Sequence, residues 1–136
     1  MAEQPVLLVS SVWICYLRPD GWEEVKESVQ EALNQGRVHT CWLVKAEILV
    51  GAKGEKSYAT LREHLCALPD APASPKNWEG AARLGYELRR KGLVVPLPDL
   101  LVAQTAKEGK LVLWHVDERF EQIALHTPLC RRSFLT

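Results

Sequence analysis

At 136 residues the chain is one domain long, and with 47% hydrophobic and 25% charged residues it has enough apolar chain for a core without disulfides or a structural metal. The 17 Lys and Arg against 17 Asp and Glu leave no net charge. That excludes a polyelectrolyte that grips nucleic acid by bulk charge, so any RNA partner must be met by local basic patches.

In chain order, Val6 to Val9 is an all-apolar run suited to a strand covered on both faces. The wider stretch Pro5 to Leu17 is apolar enough to resemble a signal h-region. Glu3 precedes it, however, no basic n-region is present, and it is too short to span a bilayer. It therefore reads as a strand running through Ser10 and Ser11 into a helix over Val12 to Leu17, and no membrane partner is expected. Pro19-Asp20-Gly21 is a turn. Trp22, Val25, Val29, Ala32 and Leu33 recur at helical spacing up to Gly36, a C-terminal stop, and Val38 to Thr40 is a second strand.

Cys41 to Ala52 reads as a buried helix interrupted by Lys45 and Glu47. Ser57 to Leu68 reads as another, following a Gly54-Glu55-Lys56 loop. Pro69 to Pro75 holds three prolines and is a loop or a poor edge strand. Trp78, Ala81, Ala82, Gly85 and Leu88 predict the clearest helix, with Arg89, Arg90 and Lys91 in its last turn and Gly92 as its cap. Leu93 to Leu97 is extended. Pro98 and Asp99 open a helix to about Lys107, and Gly109 stops it. Leu111 to His115 is a strand, Asp117 to Leu125 a short helix, and Thr127 to Leu129 a candidate last strand.

The four cysteines, Cys15, Cys41, Cys66 and Cys130, lack the close spacing of a zinc or redox motif and read as free buried thiols in a reducing cytoplasm. Strands alternating with helices over residues 1–136 predict a single α/β domain, a three-layer α/β/α sandwich with a mostly parallel central sheet. In such sheets ligands bind beyond the carboxyl ends of the strands. Three acids have apolar neighbours: Glu47 inside its helix, Asp99 on the face that continues through Ala103 and Ala106, and Asp117 directly after a strand. Gathered in one cleft, they would repel unless a divalent cation lay between them, and oxygen-only ligation favours Mg²⁺ or Mn²⁺. Asp99 and Asp117 are equally readable as ordinary helix N-terminal acids, and Glu47 as the partner of Lys45 or a distant Arg. A hydrolase built on Ser10 or Ser11 with His115 and Asp117 is a further alternative, although no Gly-x-Ser-x-Gly elbow surrounds either serine.

Val6-Leu7-Leu8-Val9-Ser10-Ser11-Val12-Trp13-Ile14-Cys15-Tyr16-Leu17 resembles the opening strand and turn of PIN domains, here of the VapC toxin type. Ala46-Glu47-Ile48-Leu49-Val50-Gly51-Ala52 is similar to that family's second motif, Gly92 to Ala103 to its third, and Asp117 to Ala124 to its fourth. The resemblance implies cleavage of single-stranded RNA with Mg²⁺ or Mn²⁺ held by Glu47, Asp99 and Asp117. In that reading Ser11 steadies a ligand by a hydrogen bond, and Lys53, Lys56, Arg89, Arg90 and Lys91 are candidates for holding the RNA backbone. It also implies a homodimer and a VapB-type antitoxin as partners, with Trp13, Tyr16, Trp22 and Trp42 as aromatic supply for an interface. One departure stands out: counting back from Trp13, the family's first acid belongs at position 9, where this chain has Val9. Cys15 also stands where many relatives carry an acid. The expected consequence is weakened metal binding and slow cleavage, or a chain that keeps RNA or antitoxin binding and has lost cleavage.

Overall fold

The structure is a computed structural model that describes residues 4–135; residues 1–3, with Glu3, and residue 136 lie outside the description. The elements run β1 (Val6–Leu8), α1 (Ser10–Leu17), α2 (Glu23–Asn34), β2 (Val38–His39), α3 (Trp42–Val50), α4 (Glu55–Cys66), α5 (Pro75–Arg90), α6 (Leu97–Gly109), β3 (Val112–His115), α7 (Glu118–Ala124) and β4 (Arg131–Ser133). The four described strands form one parallel sheet in the order β2-β1-β3-β4. Register pairs Val6 with Val38 and Val112, and Leu8 with Trp114. From β1 to β2 the chain moves one way across the sheet, and from β2 through β3 to β4 it moves back the other way. Right-handed crossovers therefore put the connecting helices on opposite faces, which is the expected α/β/α sandwich.

Val6, Leu7, Leu8 and Leu113 are fully buried in the central strands, each burial stabilising by about 1.5–3 kcal/mol. Helices α5 and α6 pack closely because glycines line their contact: a Cβ at Gly85 would fall 2.7 Å from Leu100 Cδ1. Gly36 and Gly92 take positive φ, 69° and 83°, just past α2 and α5, as stop residues do. Among the described residues no helix is long and apolar enough to cross a membrane.

Several expectations are corrected. Glu47 is exposed rather than buried. Helix α3 turns Val44, Lys45, Ile48 and Leu49 inward, so the buried charge on it is Lys45, which pairs with Asp70 at 3.1 Å and not with Glu47. On α5 the inward face is Asn77, Ala81, Leu84 and Leu88, while Trp78 is 49% exposed and Ala82 lies outside. The face is rotated because Asn77 anchors the helix start, its amide donating to Pro72 O at 3.1 Å. Helix α4 begins at Glu55, with Gly54 as its N-cap, since an acid suits a first turn. Gly109 belongs to α6, and Lys110 supplies the left-handed residue at φ 55°. The last strand is Arg131–Ser133 rather than Thr127 to Leu129. Edge strands need not be apolar, and here Arg132 lies over the Trp114 and Phe134 rings instead. The cysteines are free, but Cys66 and Cys130 are exposed.

Candidate functional site

The chain leaves β1 toward one edge of the sheet and reaches β3 from the other, so the crevice beyond the carboxyl ends of β1 and β3 is the topological switch point. Val9 sits there as the N-cap of α1, buried, with its N–H donating to Trp114 O at 3.1 Å. A valine cannot cap: no side chain accepts from the first N–H groups of α1. One residue further along β3 lies His115, fully buried. Its Nδ1 accepts the Asp117 N–H at 3.1 Å, which places the ring proton on Nε2, donated to Glu121 Oε2 at 2.8 Å. Arg131 closes on Glu121 with two further bonds, at 2.9 and 3.0 Å. Arg131 first, then His115, hold the Glu121 carboxyl below its ordinary range. This network sets where the chain turns into Asp117. It also removes the Ser-His-Asp alternative, because both imidazole nitrogens are already committed and the ring is closed off from solvent.

Asp117 caps α7, its Oδ1 accepting the Arg119 N–H at 2.9 Å. Its Oδ2 accepts from Arg119 Nη2 at 2.8 Å and Nε at 3.2 Å. The same Nε lies 3.3 Å from Oδ2 of Asp99, in the first turn of α6. One guanidinium nitrogen therefore stands between the two carboxylates. The hydrogen bonds from Arg119 lower the Asp117 carboxyl from its ordinary range. For Asp99, burial pushes the carboxyl up; Arg119 opposes this, and the charges of Asp117 and Glu47 add to it. Glu47 is thus close enough to act on Asp99, from an exposed position on α3.

Asp99 and Asp117 supply oxygen donors of the kind a divalent cation takes, but only as a pair. Asp99 Oδ2 is buried and has no hydrogen bond, because Arg119 approaches it without the alignment of one. A buried carboxylate oxygen without a donor is costly, and a hard cation would relieve it. The arrangement is nonetheless closed on an arginine. Among the described residues no three His, Cys, Asp or Glu side chains are gathered closely enough to hold a metal ion. Arg119 was not visible from the sequence motifs. A usable signal existed, since a cation in the first turn of a helix opposes the dipole and needs a local acid to justify it.

Ser11 is half-buried and lines, with Cys15, Arg18, Trp22 and Val116, a cavity of about 330 Å³ beside the crevice. Trp22 is 52% exposed there. Lys53, Lys56, Arg89, Arg90 and Lys91 are all exposed, and Arg90 lies over the Tyr86 ring at 5.7 Å. Of the aromatics named as interface supply, Trp13 is core, Tyr16 half-buried, and Trp42 51% exposed.

A family model described as PIN domain matches residues 6–125. Ribonuclease VapC18 of Mycobacterium tuberculosis is 29% identical over 122 residues, which cover 87% of this chain and 86% of that protein. Ribonuclease VapC11 of the same species is 29% identical over 133 residues, covering 95% and 98%. Among solved structures, VapBC2 from Rickettsia felis bound to a promoter DNA fragment superposes with a TM-score of 0.76 at 18% identity, covering 95% of this chain and 98% of that one.

Proposed function

The chain belongs to the PIN-domain family, and from that premise we propose that it is a VapC-type endoribonuclease acting on single-stranded RNA, weakened by Val9 in place of the first acid. The observation that carries this reading is the meeting of Asp99 and Asp117 on one nitrogen at the switch point, with a buried Asp99 oxygen that lacks a hydrogen bond. Asp99 and Asp117 would hold Mg²⁺ or Mn²⁺, with Glu47 at the open side. When bound, the ion supplies an activated water and offsets charge building on the phosphate. Asp99 and Asp117 keep fixed positions because each starts a helix, and the His115–Glu121–Arg131 network holds the backbone at Asp117. Ser11 would steady a ligand from the start of α1. Trp22 would offer an aromatic face to a nucleotide in the adjoining cavity, where Arg18 stands paired with Asp20 at 3.2 Å. Lys53, Lys56, Arg89, Arg90 and Lys91, all exposed, would meet backbone phosphates. A VapB-type antitoxin and a second copy of the chain are the proposed protein partners, and the cytoplasm the proposed location.

A second reading, a PIN protein that binds RNA or antitoxin without cutting, is favoured by two observations: an apolar residue at position 9 and a guanidinium between the acids. Cleavage of a labelled single-stranded RNA in Mn²⁺ decides between them. The chain as it stands is expected to cut slowly, Val9→Asp at least about tenfold faster, a difference of about 1.4 kcal/mol, and Val9→Asp with Asp99→Asn not at all. Equal rates for all three would refute the metal-carboxylate account. No cleavage by the unaltered chain with a restored rate in Val9→Asp would support the second reading.

A further inference from the structure

Arg119 is spent on the two acids that the ribonuclease reading assigns to the metal, and nothing about that reading requires an arginine there. Its side chain makes two bonds to Asp117 Oδ2 and reaches Asp99 Oδ2, so it stands where a shared cation would draw the two carboxylates together. It does so from the first turn of α7, where the helix dipole disfavours a cation. Only the acids compensate.

We propose that Arg119 is an internal counter-ion that closes the Asp99–Asp117 pair, and that a divalent cation enters this site only by displacing its guanidinium. The proposal rests on the ribonuclease reading and names a residue of this chain that limits metal occupancy. Three features make displacement feasible. The Arg119 side chain is 46% exposed, so it can swing into solvent without opening the core. The cap on α7 survives the swing, because Asp117 Oδ1 bonds the Arg119 backbone N–H and not the side chain. The departure frees Oδ2 of Asp117 and leaves Oδ2 of Asp99, which has no hydrogen bond to lose. Both freed oxygens face the space that the guanidinium vacates.

Val9 explains why the balance favours the arginine. Asp99 and Asp117 bring two negative charges, Glu47 adds to them from its exposed position on α3, and Arg119 cancels one. A tethered cation competes at high effective concentration, while the dication faces a cleft lacking the acid that position 9 would add. Restoring that acid or removing the arginine should each tip the competition toward the ion, and the two changes should reinforce each other.

The test measures Mn²⁺ alone, by loss of the free-ion electron paramagnetic resonance signal, with melting in chelator and in Mn²⁺ as a second readout. The proteins are the unaltered chain, Arg119→Gln, Arg119→Lys, Val9→Asp, and Val9→Asp with Arg119→Gln. Arg119→Gln is expected to bind Mn²⁺ at least about tenfold more tightly than the unaltered chain, tenfold corresponding to 1.4 kcal/mol. It should melt lower in chelator and recover in Mn²⁺. Arg119→Lys, which keeps the charge but loses the planar fork, should fall between them. It also serves if the Gln variant fails to fold. Mn²⁺ affinity in folded Arg119 variants no greater than in the unaltered chain overturns the proposal. If Val9→Asp binds Mn²⁺ and adding Arg119→Gln leaves the affinity unmoved, the proposal alone fails. If none of the five binds Mn²⁺, the ribonuclease reading fails with it.

Discussion

Val9→Asp should cost stability without metal and regain it with metal, and the size of both effects follows from where position 9 lies. Val9 occupies the N-cap position of α1 in extended geometry, φ −71° and ψ 163°, with no side chain accepting from the helix. An aspartate there gains a cap worth about 1 kcal/mol and a dipole contribution of about 0.5 kcal/mol. It forfeits a buried valine, worth about 1.5–2 kcal/mol. Position 9 also follows the Leu8–Trp114 pair, at the level of His115 and two residues ahead of Asp117. Like charges about 6 Å apart at an effective dielectric constant near 20 repel by about 3 kcal/mol. Arg119 offsets only part of this, because it is already shared by two acids. The net cost in chelator is about 3 kcal/mol, and at about 3–4 °C per kcal/mol for a chain of this length the melting point drops by about 10 °C. Mn²⁺ at a hundredfold excess over Kd returns about 2.7 kcal/mol, or about 9 °C, whereas the unaltered chain should move by less than about 3 °C under the same conditions. Circular dichroism melts in chelator and in Mn²⁺ measure all four values. A Val9→Asp protein that melts at or above the unaltered chain in chelator and ignores Mn²⁺ would show capping without charge crowding, and position 9 would not belong to the acidic crevice.

Two further outcomes are expected. Because Glu121 is held below its ordinary value near 4.5 by Arg131 and then His115, its stabilisation is present above that value and is lost as pH falls through the depressed one. Glu121→Gln should therefore lose about 1–2 kcal/mol at pH 7 and show a flatter loss of stability on acidification; urea midpoints that track those of the unaltered chain down the acid range would contradict the network. The proposed homodimer is expected to use Trp42 and Trp78, both half-exposed around one apolar cavity of about 470 Å³ that also touches Leu101. Light scattering should give twice the chain mass at tens of micromolar and the single-chain mass after Trp42→Ser with Trp78→Ser, and a strict monomer before mutation would count against the dimer.

The central strands β1 and β3 are legible because their signals are redundant. Val6 to Val9 and Leu111 to His115 are apolar runs too short for helices, and each helix between them has a stop or a first-turn acid where the chain needs one. Patterns carried by one residue type misled. Trp78 is large and apolar, so helical spacing puts it inward, yet α5 is oriented by Asn77 and by Gly85 against Leu100, and the tryptophan is left at the surface. Glu47 reads as buried because the helix around it, Cys41 to Ala52, is mostly apolar, and periodicity alone does not say which of Lys45 and Glu47 faces out. The fold decides between the two by giving Lys45 both Asp70 and the Trp42 ring. Strand β4 carries two arginines and was unreadable as a strand, since its partners are the ladder with β3 and aromatic faces donated from elsewhere.

The site shows a different limit. Asp99 and Asp117 could each be located from the helix they begin, because a first-turn acid is a local feature. Their relation to one another is set by β3, α6 and α7 together, and Arg119 becomes meaningful only once that relation exists. It stands two positions after Asp117, so its backbone N–H completes the cap whatever its side chain does. The side chain is then available for the counter-ion role proposed above, beside the carboxylates of Asp99 and Asp117. If the proposed site holds, Val9 and Arg119 bear on one quantity, the net negative charge that Asp99 and Asp117 would present to an incoming cation. Relative to an acid at position 9 and a neutral residue at position 119, each would reduce it by one unit. A variant that restores one and keeps the other should therefore lie midway in metal affinity between the unaltered chain and the double variant, and departure from that midpoint would measure how far Asp at position 9 and Arg119 pair with each other instead of acting independently on the ion.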